Sequence, residues 1–492
     1  MRNVIVAWAL LVVSACMPEI PKGDPSEIDT TNIVKVMPLD TSTLPKIISP
    51  VLDTIKPHEE VKEYKSLEEA LKEPDKVQRL NLTNYGAKKN GIVHFPEEIL
   101  QFKNLKVLFL TNNQISNLPV SIKQLSNLEY LDVSYNRLRS LPDEITQLMH
   151  LRVLAAHHNP QLAELPHSVG KLINLEKLDV SYCNLFELPH SINKLHVIKE
   201  LCLDNNYLET FPEGITQLRE LRVLRLFNNK FKELSATISQ LVNLQTLVIS
   251  HIPFTNTSLE LSKLNCPNLE LLDLAHLNLK SIPDQLGRFP KLRYLNLGDN
   301  PLQLSAAGLQ ILEKAKNLET LNLHKCSLEQ LPSNIDHLNH INELILNGNK
   351  LENISAEITR LSKLRDLTKL HLEDCGMSDI PQNIGALSKL QEIDLSSNQI
   401  KTVSAAIGNL SGLRQLDLDD NKIESVSGEI SRLQRLEVLF LNTNYLTTLP
   451  ESFKKLRSLR RLYLETNAFT PQEIAKIRQW LPECTVIAHP GR

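Results

Sequence analysis

Histidine and aromatic residues recur through the middle of the chain at a spacing of about 23 residues. Such a spacing brings side chains together when each interval folds as one structural unit. Exposed aromatic rings are common anchors of protein interfaces, whereas two histidines alone make a poor metal site. We therefore predict a partner-binding surface, formed by Tyr135, His157, His158, Tyr182, Phe227, His251 and His276.

A second group of reactive side chains is acidic and lies closer to the C-terminus. Like charges that face each other destabilise a sheet, so this group needs a compensating interaction. Three interpretations stay open: a solvated acidic face, a site for a basic partner, or calcium, although the spacing matches no calcium-binding loop. The group comprises Glu373, Asp374, Glu392, Asp394, Asp417, Asp419 and Asp420. The members assigned to partner binding are Asp394, Asp417, Asp419 and Asp420.

The sequence lacks the usual catalytic motifs. It contains no GxSxG, HExxH, P-loop or GxGxxG pattern, and its 15 glycines are too few for phosphate-cradling loops. The seven cysteines have no paired spacing, which argues against a disulfide framework and a zinc site. A net charge of -3 gives no bulk attraction to nucleic acid. We therefore predict a binding protein and not an enzyme, with no cofactor, no metal site and no nucleic-acid partner.

The side chains must be positioned by a repeated sequence motif of about 23 residues, LxxLxLxxNxLxxLPxxIxxL. About seventeen copies fill residues 77–469, and three of them, beginning at Leu244, Leu292 and Ile341, are longer by two or three residues. The LxL part predicts a short strand with its leucines facing inward. The clearest copy contains Leu128, Leu131, Val133, Asn136, Leu138, Leu141, Pro142, Ile145 and Leu148.

This motif resembles the leucine-rich repeat, and the resemblance covers about four fifths of the chain. It implies an α/β solenoid, a leucine-rich-repeat horseshoe with a parallel β-sheet on the concave face and short helical or extended segments on the convex face. Proteins of this family bind ligands through the concave face. The register of the repeat places Tyr135 and His158 directly before the asparagine column. It also makes several side chains face outward from strands, namely Phe109, Tyr294, Phe440, Tyr463 and Cys202.

The asparagine column itself is a structural feature. An asparagine amide both donates and accepts hydrogen bonds, so it can satisfy backbone groups where the chain leaves a buried strand. Cysteine replaces asparagine at Cys183, Cys326 and Cys375. The family resemblance implies that these three cysteines are packing residues and not metal ligands.

Caps are expected at both ends of the repeats, over residues 59–76 and 470–492. At the front, Ser66 and Glu69 have the spacing of a capping box that opens a short helix. At the back, Thr470 and Glu473 form a second box, with Pro471 at the first helical position. Such caps cover the leucine core and protect the open sheet edges.

The N-terminus predicts export and lipidation. Its first sixteen residues read MRNVIVAWALLVVSAC, with ten apolar residues between Val4 and Val13. That run is shorter than the roughly 20 residues that span a bilayer, and its flanks are typical of a secretory signal. The ending VSAC resembles a bacterial lipobox, which implies a signal peptide over residues 1–15 and a lipid on Cys16. Prolines punctuate residues 16–58, which indicates an extended tether.

Together these features predict a lipid-anchored protein-interaction module at a bacterial outer membrane or cell surface, with adhesion or host interaction as roles to consider. The alternative is an envelope scaffold that binds glycan or peptidoglycan. Aromatic rings arranged for sugar stacking would favour the scaffold. A protein-sized patch would favour the interaction module.

Overall fold

The computed structural model describes residues 61–85 and 91–489. The predicted signal peptide, Cys16 and the tether lie outside these residues, as do residues 59–60 and 490–492 of the predicted caps. All described residues belong to one of the two compact units into which the chain divides, residues 47–492. In this described part, no helix is both long enough and apolar enough to cross a membrane.

Each repeat contributes a short strand, because alternation along LxL turns its leucines toward the interior. The strands are β1 (Glu63–Tyr64), β2 (Arg79–Asn81), β3 (Val107–Phe109), β4 (Tyr130–Asp132), β5 (Val153–Ala155), β6 (Lys177–Asp179), β7 (Glu200–Cys202), β8 (Val223–Arg225), β9 (Thr246–Val248), β10 (Leu271–Asp273), β11 (Tyr294–Asn296), β12 (Thr320–Asn322), β13 (Glu343–Ile345), β14 (Lys369–His371), β15 (Glu392–Asp394), β16 (Thr402–Val403), β17 (Gln415–Asp417), β18 (Ser425–Val426), β19 (Val438–Phe440), β20 (Arg461–Tyr463) and β21 (Thr485–Ile487).

Among the described residues, nineteen strands form one parallel sheet, and β16 and β18 pair separately with each other. The central residues of neighbouring strands face each other: Leu131 pairs with Leu108 on one side and with Leu154 on the other. All three leucines are buried. One repeat cannot bury its own leucines but a stack can, so the predicted leucine-rich-repeat solenoid is confirmed.

Most repeats return to the next strand through a short 3-10 helix. Proline commonly precedes it, as Pro142 does, because proline fixes φ near the value that the backbone needs there. One apolar residue of each turn, such as Ile145, points into the core. The 3-10 helices span Pro74–Lys76, Glu97–Gln101, Val120–Gln124, Asp143–Gln147, Val169–Lys171, His190–Lys194, Glu213–Gln217, Ile238–Gln240, Asp284–Arg288, Ile335–Leu338, Gln382–Ala386, Ala405–Asn409, Gly428–Arg432 and Glu451–Lys455.

The three longer repeats carry α-helices in place of the 3-10 turn: α2 (Thr257–Ser262), α3 (Ala306–Leu312) and α4 (Ile354–Leu361). An α-helix rises about 1.5 Å per residue and a 3-10 helix about 2.0 Å, so the α-form needs more residues to span the same width. This difference accounts for the two or three additional residues. The N-cap side chains of these helices, Asn256, Ser305 and Asn353, each accept a backbone N–H.

The asparagine column satisfies the backbone as predicted. At Asn229, Oδ1 accepts the Leu208 amide at 3.1 Å, and Nδ2 donates to the carbonyls of Leu203 and Leu226 at 2.9 Å. Each asparagine therefore joins its own repeat to the one before it. Where cysteine replaces asparagine, the thiol keeps part of this role, since Cys326 Sγ donates to the Leu297 carbonyl at 3.2 Å.

A capped helix lies at each end of the repeats. The Ser66 hydroxyl accepts the Glu69 amide at the start of α1 (Leu67–Ala70). The Thr470 hydroxyl likewise accepts the Glu473 amide at the start of α5 (Pro471–Trp480). The strands β1 and β21 then add to β2 and β20, which places a short strand at each end of the sheet.

We expect Asn229→Ala to lower the free energy of unfolding by about 2–4 kcal/mol, because three buried backbone groups lose their partner. Asn229→Cys should cost less, since the column accepts cysteine elsewhere and the thiol keeps a weak donor. Urea unfolding followed by circular dichroism measures both values. Asn117→Ala, at an exposed position, is the control. Equal losses for Asn229→Ala and the control would contradict the role assigned to the column.

Candidate functional site

One row of side chains runs along the sheet at the position directly before the asparagine column. Nearly every member has a left-handed backbone, with φ of 53° at Tyr135, 55° at His158 and 54° at Tyr182. This conformation is unfavourable for residues other than glycine and persists only where the surroundings impose it. Here the amide N–H of Tyr135 donates to the carbonyl of His157, and that of His158 to the carbonyl of Ser181, both at 2.9 Å. The repeat therefore holds these side chains in register.

Three of the predicted residues, Tyr135, His158 and Tyr182, form a continuous stack that we call the ring ladder. Ring centroids lie 4.1 Å apart in both contacts, with interplanar angles of 13° and 16°. His157 packs edge-on against Tyr135, and its Nδ1 lies 2.9 Å from Nδ1 of His158. Burial and the neighbouring His157 lower the pKa of His158 to about 4, so its imidazole is neutral at physiological pH.

The ring ladder forms one side of an open groove with a volume of about 570 Å³. Tyr207 and Lys230 also line the groove. Aromatic and hydrogen-bonding groups are thus combined on a surface held by rigid repeats. Such a combination suits a protein or peptide ligand. The other lining residues are Asn112, Pro160, Cys183, Asn205, Asn206 and Asn228.

His251 and His276 also lie in this row and stack on each other at 4.1 Å. They are separated from the ring ladder by Asn205 and Asn228, whose side-chain amides are hydrogen-bonded at 2.8 Å. Burial is the main reason that the pKa of His251 is lowered, and the nearby His276 adds to the effect. The predicted residues therefore form two stacked groups, and an amide pair connects them.

The expectation that strand residues facing out of the core are exposed was wrong in three places. Phe227 is 6% exposed, Tyr294 is 1% exposed and Cys202 is 6% exposed. The Phe227 ring lies 5.8 Å from the His251 ring, so large neighbouring side chains cover part of it. Burial also raises the pKa of the Cys202 thiol far above its usual range, which leaves it unreactive.

The acidic residues lie on or directly after three neighbouring strands, β14, β15 and β17, and Asp394 is the register partner of Asp417. The structure adds a counter-charge, His371, which was not among the predicted site residues. His371 Nε2 lies 3.3 Å from Glu343 Oε1, and its Nδ1 lies 3.8 Å from Asp394 Oδ2. Burial lowers the pKa of His371, but these two carboxylates outweigh burial and raise it to about 9. A protonated imidazole thus sits between two carboxylates.

The remaining acidic residues are compensated unequally. Asp419 accepts the Asn442 amide at 2.6 Å and its side-chain Nδ2 at 2.9 Å. Asp420 is exposed. Burial raises the pKa of Asp417 to about 7, and the nearby Asp394 contributes to the rise. Within residues 61–85 and 91–489, no group of three or more histidine, cysteine, aspartate or glutamate side chains is placed to hold a metal ion.

A further polar group, which was not among the predicted site residues, lies along β7 to β10. Arg225 Nε donates to Asp204 Oδ2 at 2.6 Å, and Asp273 is fully buried nearby on the outward side of the sheet. The repeat register could have found these residues, because it places them at outward-facing positions. Their burial could not have been read from that register.

The solenoid and its outward-facing rows define the chain as a repeat-built binding scaffold. Family models agree: a leucine-rich repeat region matches residues 142–264. Leucine rich repeats match residues 75–138, 103–160, 365–423 and 411–469, and a further one matches residues 317–338. A leucine-rich-repeat protein of Leptospira interrogans is 32% identical, with a TM-score of 0.57, over 86% of this chain and 99% of that one. The chain belongs to the leucine-rich-repeat family.

Other solved structures share the fold at lower identity. TLR13 in complex with ssRNA13 has a TM-score of 0.60 and 22% identity, over 84% of this chain and 62% of that chain. The ectodomain of the Arabidopsis thaliana receptor kinase GASSHO1/SCHENGEN3, in complex with CASPARIAN STRIP INTEGRITY FACTOR 2, has a TM-score of 0.51 and 23% identity. That match covers 80% of this chain and 51% of the ectodomain. No curated protein matches the sequence significantly.

We expect Asp417→Asn to raise the melting temperature at pH 8 and to leave it nearly unchanged at pH 4. The folded-state pKa of about 7 lies above the unfolded value of about 3.9, so the folded state loses stability as pH rises from about 4 through 7. Asparagine removes this loss and can keep the hydrogen bond that Asp417 Oδ1 accepts from the Asp419 amide. Thermal unfolding followed by circular dichroism at both pH values measures the difference.

The matched control is Asp132→Asn. Asp132 makes the same hydrogen bond, to the Ser134 amide, but its register partners are the uncharged Phe109 and Ala155. Equal shifts in both variants, or at both pH values, would contradict the raised pKa assigned to Asp417. The same melts with added Ca²⁺ test the calcium interpretation, which requires a stabilisation of the parent chain that Asp417→Asn abolishes.

Proposed function

We propose that this chain is a lipid-anchored protein-interaction module at a bacterial membrane or cell surface, and that a protein partner binds at the ring ladder and its groove. The observation that carries the proposal is the ring ladder, where two tyrosines and a histidine form one rigid aromatic surface. Tyrosine in such settings often contributes a large share of the binding free energy of an interface. Membership of the leucine-rich-repeat family supports a binding role in general.

The geometry of the rings favours a protein partner over a glycan. Sugars stack on the open face of an aromatic ring. In the ring ladder, the faces of His158 are covered by Tyr135 and Tyr182 at 4.1 Å, and Phe440 and Tyr463 similarly cover each other at 4.5 Å. The covered faces leave ring edges to carry much of the contact, and edges suit the mixed polar and apolar contacts of a polypeptide. The ring geometry therefore makes an envelope scaffold that binds glycan or peptidoglycan the alternative and not the main proposal.

The related structures support a general binding role and do not identify a ligand for this chain. One is in complex with CASPARIAN STRIP INTEGRITY FACTOR 2 and another with ssRNA13. Both are less than 25% identical to this chain, so their ligands are not transferred. The absence of a nucleic-acid partner, of catalytic activity and of a cofactor is part of the proposal. The predicted partner contacts of Asp394, Asp417, Asp419 and Asp420 stay predictions.

The lipid anchor rests on the sequence of residues 1–16, which lie outside the described residues. A signal ending in VSAC, with Cys16 as the lipidated residue, would hold the mature chain at a membrane. One acyl chain alone binds a bilayer only marginally, whereas two or three anchor it stably. The proline-rich residues after Cys16 would then separate the repeats from the lipid.

We expect replacement of Tyr135, His158 and Tyr182 by alanine to weaken partner capture at least about tenfold, because interface hot spots each contribute about 2 kcal/mol or more. The bait is the mature chain with Cys16→Ser, used on surface and envelope extracts, and captured proteins are identified by mass spectrometry. The control replaces Phe440 and Tyr463, a stacked pair elsewhere on the sheet. A partner retained by the ring-ladder variant, or lost equally by the control, would refute this surface.

We expect Cys16→Ala to move the chain from the membrane fraction to the soluble fraction and to abolish incorporation of a labelled fatty acid. The physical reason is that the acyl chains attached at this residue supply most of the membrane affinity. Cys484→Ala, at another cysteine that is not fully buried, is the control and should leave both readouts unchanged. Continued labelling of the Cys16→Ala variant would place the lipid elsewhere or remove it from the proposal.

A further inference from the structure

A second pair of exposed aromatic rings lies beside the groove, apart from the ring ladder. Phe186 and Tyr207 stack with their ring centroids 5.7 Å apart, and they are 49% and 46% exposed. Neither was among the predicted site residues. Tyr207 lines the same groove as the ring ladder, whose Tyr135 is 43% exposed. The groove therefore offers exposed rings to a ligand from two sets of residues.

The asparagine column forms the floor between these two sets. Its members Cys183 and Asn206 line the groove and are buried. One side of the groove is the row directly before the column, and the other side is the position directly after it, which holds Pro160, Tyr207 and Lys230. The two sides are two residues apart along a repeat, at most about 7 Å between Cα atoms. An α-helix is about 10–12 Å wide with its side chains, so the groove suits an extended segment.

The spacing of the groove matches one extended conformation. Tyr135 and Tyr182 are two repeats apart, which is about 8 Å by the two ring contacts of 4.1 Å and about 10 Å by two strand intervals. Pro160 and Tyr207 are also two repeats apart. A polyproline II helix repeats every three residues, or about 9.3 Å, whereas side chains on one face of a β-strand repeat every 6.6 Å or so. Every third residue of a polyproline II segment would therefore meet an equivalent position of the groove.

The side-chain amides of the groove offer donors to such a segment. Asn112 Nδ2 donates to the Asn84 carbonyl at 2.7 Å, and Asn228 Nδ2 donates to Asn205 Oδ1 at 2.8 Å. An amide nitrogen carries two N–H groups, so Asn112 and Asn228 each keep one for a ligand. Proline has no N–H, and a polyproline II helix has no internal hydrogen bonds, so its carbonyls need donors from outside.

The charge of the groove is positive and lies at one end. No aspartate or glutamate is among the described residues that line it, and His158 is neutral at physiological pH. Among these lining residues Lys230 alone carries a charge, and it is exposed. A single ammonium group at the end of an uncharged groove favours a carboxylate there and sets the direction in which a segment lies.

We propose that the groove binds a proline-rich segment of the protein partner in the polyproline II conformation, with an acidic residue of that segment beside Lys230. This inference rests on the proposed function and names the chemical class of the partner segment. Aromatic-lined grooves suit such segments, because the polyproline II helix is already formed and loses little conformational entropy on binding. Tyr207 contributes a contact that the ring ladder does not supply.

The binding test uses the mature chain with Cys16→Ser and a fluorescein-labelled peptide of three Leu-Pro-Pro triplets followed by aspartate. Fluorescence anisotropy should show binding, and alanine in place of every proline should weaken it at least about tenfold, because the preformed conformation is lost. A peptide of the same composition in scrambled order should also bind more weakly, since the period of three is broken. Absence of binding, or equal binding of either altered peptide, would overturn the proposal.

The matched variants are Tyr207→Ala and Tyr445→Ala. Tyr445 also directly follows an asparagine of the column and is 61% exposed, but it lies on a distant repeat. We expect at least about tenfold weaker peptide binding for Tyr207→Ala and no change for Tyr445→Ala. Lys230→Glu should weaken binding of the aspartate peptide, and a peptide that ends in lysine should restore it. Equal affinities of the two tyrosine variants, or no restoration by the lysine peptide, would count against the proposal.

A failure here is distinguishable from a failure of the proposed function, because Tyr207 lies outside the ring ladder. Suppose that the ring-ladder variant loses the captured partner while Tyr207→Ala keeps it and no peptide binds. That result would overturn the proline-rich segment and leave the proposed function intact. Peptide binding that depends on Tyr207, without any partner whose capture depends on the ring ladder, would support the groove and count against the ring-ladder surface.

Discussion

Hydrogen bonding of the backbone where each strand ends is the constraint on which the rest of this structure depends. A chain that turns away from a buried parallel strand leaves amide and carbonyl groups without partners. The asparagine column supplies the missing partners, as Asn136 does by accepting the Ile115 amide and donating to the Leu110 and Val133 carbonyls. Each asparagine thereby fixes one repeat to the previous one. The residue before the column is left-handed even where Cys183, Ile252 or Leu277 stands in place of asparagine. The row that contains the ring ladder therefore follows from a backbone geometry that every repeat needs.

The sequence predicted the repeats, the caps and the parallel sheet because each depends on a local pattern. Leucine spacing sets the strands, and a hydroxyl three residues before glutamate sets the start of a cap helix. The repeats that contain the three α-helices also stand out in the sequence. They begin at Leu244, Leu292 and Ile341, and each is two or three residues longer than the other repeats. Patterns of this kind are visible in one sequence because only neighbouring residues or neighbouring repeats take part.

The candidate site was harder to predict, because register gives the direction of a side chain and not its surroundings. Register placed Tyr135, His158 and Tyr182 in one row, but not the 4.1 Å stacking that covers the faces of the imidazole. It also made Phe227 and Tyr294 appear exposed. The charge on His371 depends on Glu343 and Asp394 from the two neighbouring strands, and no local pattern reports such a triplet. Burial and ionisation are properties of several repeats at once.

The regular stack of strands also fixes the distances between side chains along the sheet. Parallel strands lie about 4.8 Å apart, so Tyr182 and His276, which follow β6 and β10 in the same row, are separated by four intervals, or about 19 Å. An extended polypeptide covers that distance in about six residues. A partner that engaged both the ring ladder and His276 would have to present its two contacting segments at this interval. Loss or gain of one whole repeat between them would change the required length by a single fixed step while leaving the fold intact.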